Sequence, residues 1–208
     1  MKRHLLVAGL ALLVIAPLAA QAPKGWKLRI DRSTSATDPD AAGAIKFVSV
    51  GTGFHATNPQ AAVYWNPANT TSGNYTLKGT FTLMKPSGHT NYYGLVFGGS
   101  SLEGPAQKYL YFMVAQDGTW LIKRRSGDAT TEDVSARTSS NAVKVPDNTG
   151  KSVNALEVRV TGDRTAYVIN GTVVHTMPST AAQTDGLYGF RVNHLLEVQV
   201  DGLAVSKS

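Results

Sequence analysis

Residues able to do chemistry are sparse in this chain, and their spacing excludes most of what they might do. Glu132 and Asp133 are adjacent, so in an extended segment they point to opposite sides. Glu157, Glu197 and Asp201 fall in alternating stretches where a charge reads as an outward, solubilising group. His55, His89, His175 and His194 offer no pair with the spacing of a zinc site on one strand, and there is no cysteine, so no metal centre is expected. Calcium could be held by loop oxygens, but no D-x-D-x-D-G loop is present and none is assigned. A G-x-S-x-G elbow is absent, and the glycines around Leu95–Phe97 precede no helix, which removes a phosphate-binding loop. What remains is a combination of aromatic rings and cations. Tyr92, Tyr93, Tyr109, Tyr111, Trp65 and Trp120 fall on or beside strand-like runs, with Arg124 and Arg191 near them. Arg191, Asn193 and His194 form a donor-rich end to one such run.

The stretch that must position these groups is Lys108–Arg125, KYLYFMVAQDGTWLIKRR. Two runs rich in aromatic and β-branched residues flank Asp117-Gly118, a preferred pair for a two-residue type I′ turn. Such a turn pairs Tyr111 with Arg124, Met113 with Ile122 and Ala115 with Trp120 on one surface. It sets Leu110 with Arg125, Phe112 with Lys123 and Val114 with Leu121 on the other. A hairpin with one wet face should alternate apolar with polar, and neither surface here is plainly polar. Either one face lines a groove with its aromatics and cations, or both are covered and only the cationic ends reach solvent. An arginine is rarely buried without a partner, which favours a groove at Tyr111 and Arg124.

Around the hairpin, the 208 residues read as many short strands. Trp26–Asp31, Ile45–Val50, Ala61–Trp65, Asn74–Leu83 and Tyr92–Phe97 precede it. Ala155–Thr161, Thr165–Ile169, Thr172–Thr176, Leu187–Val192 and Leu196–Val205 follow it. Asn74–Leu83 has the cleanest period of two, and Asn170-Gly171 marks a second tight hairpin. Ser33–Gly43, Ala68–Gly73 and Ser126–Thr149 read as loops, the last with a short strand near Ala142–Val145. Ten to twelve short strands with regular turn signals indicate an all-β antiparallel sandwich or barrel.

Residues 1–22 read as a secretory signal peptide: Lys2 and Arg3, an apolar run Leu5–Ala16, then Pro17 and small residues, with cleavage after Ala20 or Ala22. The expectation is an exported protein, secreted or periplasmic, with residues 23–208 forming one domain. Without Lys2 and Arg3 the balance is 18 Lys and Arg against 14 Asp and Glu, or +4, and it is well mixed. That gives little support to nucleic-acid binding by counterion release, and no later stretch is apolar enough to hold a membrane. Lacking disulfides, the domain must rely on its own core, which a chain of this size can supply.

Several segments resemble the concanavalin A-like lectin/glucanase jelly roll, over roughly Trp26 to Val205. Asn154–Val160 with Ala166–Val174, and Asp185–Val192 with Leu196–Val205, are similar to the hairpins of laminin-G-like and 3-keto-disaccharide hydrolase-like domains. The resemblance implies an antiparallel β-sandwich. It is compatible with recognition of a carbohydrate or glycan polymer at a concave sheet face, for which the aromatic and donor-rich composition makes Tyr93, Tyr111, Arg124, Arg191, Asn193 and His194 the candidate ligand-binding residues. Neither the E-x-D-x-x-E strand of the family's glucanases nor the Q-I-H strand of its lyases is present, so no catalytic residue is expected. An enzyme acting on a glycan and an adhesive domain are the alternatives, since this fold hosts many functions. The oligomeric state is not legible.

Overall fold

The computed structural model describes residues 22–32, 36–128 and 130–207, and the signal segment expected over residues 1–22 lies almost wholly outside them. Two seven-stranded antiparallel sheets enclose the core. The first sheet contains β1 (Lys27–Ile30), β4 (Ala62–Thr71), β6 (Tyr92–Ser100), β7 (Lys108–Ala115), β8 (Thr119–Ser126), β9 (Thr131–Ser139) and β13 (Gly186–Val192). Its spatial order is β1-β4-β13-β6-β7-β8-β9. The second contains β2 (Lys46–Val50), β3 (Gly53–Asn58), β5 (Tyr75–Lys85), β10 (Ser152–Thr161), β11 (Arg164–Ile169), β12 (Thr172–Pro178) and β14 (Leu196–Lys207), in the order β12-β11-β10-β5-β14-β3-β2. One short helix, α1 (Ala181–Thr184), precedes β13.

Period-two alternation sorts the first sheet into rows. Tyr64, Phe190, Leu95, Phe112 and Ile122 are successive register partners across β4, β13, β6, β7 and β8, and all point between the sheets. The next row inward is Ala62, Val192, Tyr93, Val114 and Trp120. Against them pack Leu77, Phe81, Leu156, Val158 and Tyr167 of the second sheet, each fully buried. Side chains from two inward faces interdigitating in this way are what make a sandwich stable. Trp26 closes one end, its ring 4.4 Å from Phe54 and 5.7 Å from Phe190.

The Asp117-Gly118 hairpin differs from expectation by one residue. Tyr111 pairs with Lys123, Phe112 with Ile122 and Val114 with Trp120. The loop is three residues long: only Gly118 takes a positive φ (83°), and the Gly118 N–H donates to the Ala115 carbonyl at 3.3 Å. Asp117 instead accepts hydrogen bonds from the Thr119 N–H (3.1 Å) and hydroxyl (2.6 Å), which fixes it outside the left-handed region that a type I′ turn requires. A one-residue slip exchanges the faces of one strand relative to the other. Arg124 therefore shares a face with Leu110 and Phe112, not with Tyr111.

Two segments read as loops are strands. β4 runs through Asn66-Pro67 to Thr71, and β9 lies within the polar stretch after the hairpin. β9 is an edge strand with mostly exposed side chains, so it carries no alternation to read. The strand expected near Ala142–Val145 is a turn and extended coil.

Gly189 allows close packing in the middle of the first sheet. A Cβ there would sit 2.0 Å from the Tyr64 carbonyl oxygen and 3.2 Å from the Trp65 Cα. Gly189→Ala is expected to cost about 1–3 kcal/mol, the range for overpacking, because backbone rather than a side chain must give way. Urea unfolding at constant m-value measures it.

Candidate functional site

The outward face of the first sheet carries the remaining aromatics and cations, again in rows. Arg29, Val63, Arg191, Gly94, Met113 and Leu121 are successive partners from β1 to β8. Beside them run Lys27, Trp65, Gly189, Val96, Tyr111, Lys123 and Asp133. Val63, Trp65, Val96, Tyr109, Tyr111, Met113 and Leu121 join Leu102 in a second apolar cluster separate from the main core. This face is thus largely covered, and the alternative of a strand pair covered on both sides holds for much of it. A cavity of about 270 Å³ remains open beside Arg191 and Met113. Its walls include Tyr92, Tyr111, Lys123, Arg191, Asn193 and Asp38.

Arg191 is the centre of a buried charge cluster. Its Nη1 donates to Asp31 Oδ2 and, at 3.1 Å, to the Tyr109 hydroxyl, while its Nε donates to Asn193 Oδ1 at 3.3 Å. The guanidinium carbon lies 5.5 Å from the Tyr111 ring centroid, within cation–π range. Asp31 follows β1 and also pairs with Arg125 Nη2. Burial opposes ionisation of Asp31, but the charges of Arg191 and Arg125 and their hydrogen bonds outweigh it and hold its pKa below the ordinary carboxylate value. Arg191 loses hydration too, yet Tyr109, Asp31 and Tyr111 around it raise its pKa. Burial raises the pKa of the Tyr111 hydroxyl, with Arg191 opposing. Asp31 is therefore fixed as an anion, the reverse of what a general acid needs.

Beyond the cavity the turns β5–β6, β7–β8 and β13–β14 meet the segment before β2. Gln116 donates to the Ser87 carbonyl at 2.8 Å, and the Asn193 N–H donates to the Tyr92 carbonyl at 2.9 Å. His194 follows β13 and is 5% exposed, its Nδ1 3.1 Å from Asp40 Oδ1 and its Nε2 2.9 Å from Asp38 Oδ1. His89, from the β5–β6 turn, places Nε2 3.2 Å from His194 Nε2 and 2.7 Å from Asp38 Oδ1.

Of the six residues expected to bind ligand, Tyr111, Arg191 and Asn193 line the cavity, and His194 stands behind its Asp38 wall. The other two are elsewhere. Tyr93 is fully buried between the sheets, bonded to Ser152 (3.4 Å) and Asn154 (3.3 Å), because its register places it on the inner face. Arg124, displaced by the hairpin register, lies 3.5 Å from Glu132 and lines a different cavity of about 250 Å³ with Lys108, Leu110 and Gln183. His89 and His194 share no strand, as their spacing indicated, yet they meet at one end of the sandwich. Spacing within one strand says nothing about two turns that a sandwich brings to one end, and Asp31, Asp38 and Asp40 carry no motif that would have marked them.

No protein-family model matches this sequence, and no curated protein matches it. Solved structures do resemble it. The carbohydrate-binding module CBM66 from Bacillus subtilis superposes with a TM-score of 0.63 at 12% identity, over 88% of this chain and 96% of that one. Sheep galectin-11 gives a TM-score of 0.50 at 13% identity, over 76% and 100%. An endo-β-1,3-glucanase from Pyrococcus furiosus gives 0.53 at 10%, over 76% and 78%. At such identities the likeness concerns architecture, and with the strand orders above it identifies the chain as an all-β domain with the concanavalin A-like, galectin-like jelly-roll fold.

Proposed function

We propose that this protein is a carbohydrate-binding module that takes a single sugar ring, such as a glycan chain end, into the cavity on the outward face of its first sheet. The observation that carries this reading is the wall composition. Tyr92 and Tyr111 offer aromatic surface, Met113 and Leu121 an apolar patch, and Lys123, Arg191, Asn91 and Asn193 polar groups, drawn from β6, β7, β8, β13 and the turns beside β6 and β13. The accessible wall is more polar than apolar, unlike the mostly apolar lining of drug-sized ligand sites, and suits a ring rich in hydroxyls. At about 270 Å³ the space lies just below the range of roughly 300–1,000 Å³ common for drug-sized ligands, which suits one ring better than a long polymer segment. The CBM66 and galectin structures add support at the level of fold. With the leader read from residues 1–22, the module would meet its glycan outside the cytoplasm.

A glycan-active enzyme is the second reading, favoured by one fact: the cavity wall contains the carboxylate of Asp38. Asp38 is engaged with two histidines rather than with a second carboxylate, and glycoside hydrolysis ordinarily uses two.

Adjacent residues test the proposal. Lys123 lines the cavity and Arg124 faces the other way. In calorimetric titrations with neutral, acidic and sulfated oligosaccharides, Lys123→Ala is expected to weaken binding about tenfold or more, since a hydrogen bond to a charged group contributes roughly 1.5–3 kcal/mol. Arg124→Ala should leave the affinity unchanged. Equal loss in both variants, or no binding across the panel, overturns the assignment, and new reducing ends after long incubation would favour the enzyme.

A further inference from the structure

We propose that Asp38, His89 and His194 form a binding site for one divalent transition-metal ion, with Zn2+ the best match to the donor set. The three donor atoms converge: Asp38 Oδ1 lies 2.7 Å from His89 Nε2 and 2.9 Å from His194 Nε2, and the two nitrogens are 3.2 Å apart. All three lie within 4.8 Å of one another.

The neighbouring hydrogen bonds show why these atoms call for a cation. His194 Nδ1 faces Asp40 Oδ1 at 3.1 Å, and the tautomer with its proton on Nδ1, the one a metal would select, turns the Nε2 lone pair inward. His89 Nε2 lies 3.0 Å from Asn91 Nδ2, whose N–H donates to it, so that nitrogen is an acceptor as well. A cation there would take the place of a proton shared between Asp38 Oδ1 and the two nitrogens. A carboxylate holding the far nitrogen of a histidine is also the usual support behind a metal ligand, fixing its tautomer and raising its basicity.

Two imidazoles and one carboxylate suit zinc, whereas calcium and magnesium prefer oxygen throughout. Bonds of about 2.0–2.2 Å in a tetrahedral site leave ligand atoms roughly 3.3 Å apart, so the triangle would open by a few tenths of an ångström. Three protein ligands leave a fourth position for water or another group. Asp38 and His89 are about half exposed while His194 is buried, which gives an ion a path in from one side. Because Asp38 also lines the cavity, the ion would stand at its edge, but the site does not depend on the carbohydrate reading.

The test is a calorimetric titration of untagged, chelator-treated protein with ZnCl2, beside His89→Ala, Asp38→Asn and Asp40→Asn. His89 is half exposed, so its variant should fold even if changes at His194 do not. Expected are one Zn2+ per chain, loss of that binding in His89→Ala and Asp38→Asn, and affinity lower by roughly 10–100-fold in Asp40→Asn, which removes only the supporting carboxylate. Zinc should raise the melting temperature of the wild type and not of His89→Ala. Absence of zinc binding, zinc binding unchanged by His89→Ala, or Ca2+ and Mg2+ binding as tightly as Zn2+ would each overturn the proposal.

Discussion

Replacing Asp31 with alanine is expected to destabilise the protein by about 3–5 kcal/mol, because it leaves the Arg191 and Arg125 guanidinium groups buried without their shared carboxylate. For a domain of this size that is a fall of roughly 6–20 °C in melting temperature. Arg191→Ala should cost less, since Asp31 keeps Arg125 as a partner, although the contact with Tyr111 is lost. The ordering is the informative part. If Arg191→Ala is the more destabilising, the cluster is held by packing and not by its one anion. Thermal unfolding of the two variants beside the wild type decides it.

The same carboxylate sets an acid limb. The pKa of Asp31 is lower in the folded chain than in the unfolded one, so its contribution is complete above the unfolded value of about 3.9 and is lost as pH falls through the lower, folded value. The melting temperature of the wild type should therefore lose this contribution only below about pH 4. In Asp31→Ala, already low at neutral pH, the same interval should be flatter. Melting curves at half-unit steps from pH 2 to 7 show whether the two converge at the acid end, as linkage requires.

How much of this could be read from the chain depends on whether local pattern or tertiary pairing decided each part. Alternation in Asn74–Leu83 was enough to place β5, where Tyr75, Leu77, Phe81 and Leu83 are all fully buried. The run Leu187–Val192 likewise put Arg191 and Asn193 on one face, and both line the same cavity. The Asp117-Gly118 pair gave the right hairpin and the wrong register, because the Asp117 side chain captures Thr119 and lengthens the loop by one residue. That single residue moved Arg124 off the face and brought Lys123 onto it. Tyr93 was misplaced for a related reason: aromatic content marks a strand but not which side of it is wet. Asp31, Asp38, His89 and His194 belong to turns and segments far apart in sequence, and only the closing of the sandwich brings them together. No local periodicity records such a meeting.

Phe190→Ala is expected to cost about 3–5 kcal/mol, the range for removing a buried aromatic ring. Phe190 stacks on Tyr64 at 4.7 Å with 12° between the planes, and it also meets Trp26 and Phe47 at 5.7 and 5.9 Å. Loss of its ring would open a cavity between the two sheets beneath β13, and the extended neighbours of a strand pair relax little into such a space. Its neighbour Arg191 points to the opposite face, so the two positions separate folding from binding. Phe190→Ala should lower the urea midpoint steeply, while the protein that remains folded, measured at low temperature without denaturant, binds a cavity ligand with the affinity of the wild type. Arg191→Ala should do the opposite, losing ligand affinity at a smaller cost in stability. A Phe190→Ala protein of normal stability would mean that the inner row contributes little, and that the second cluster around Trp65 and Tyr111 is what holds β13 in place.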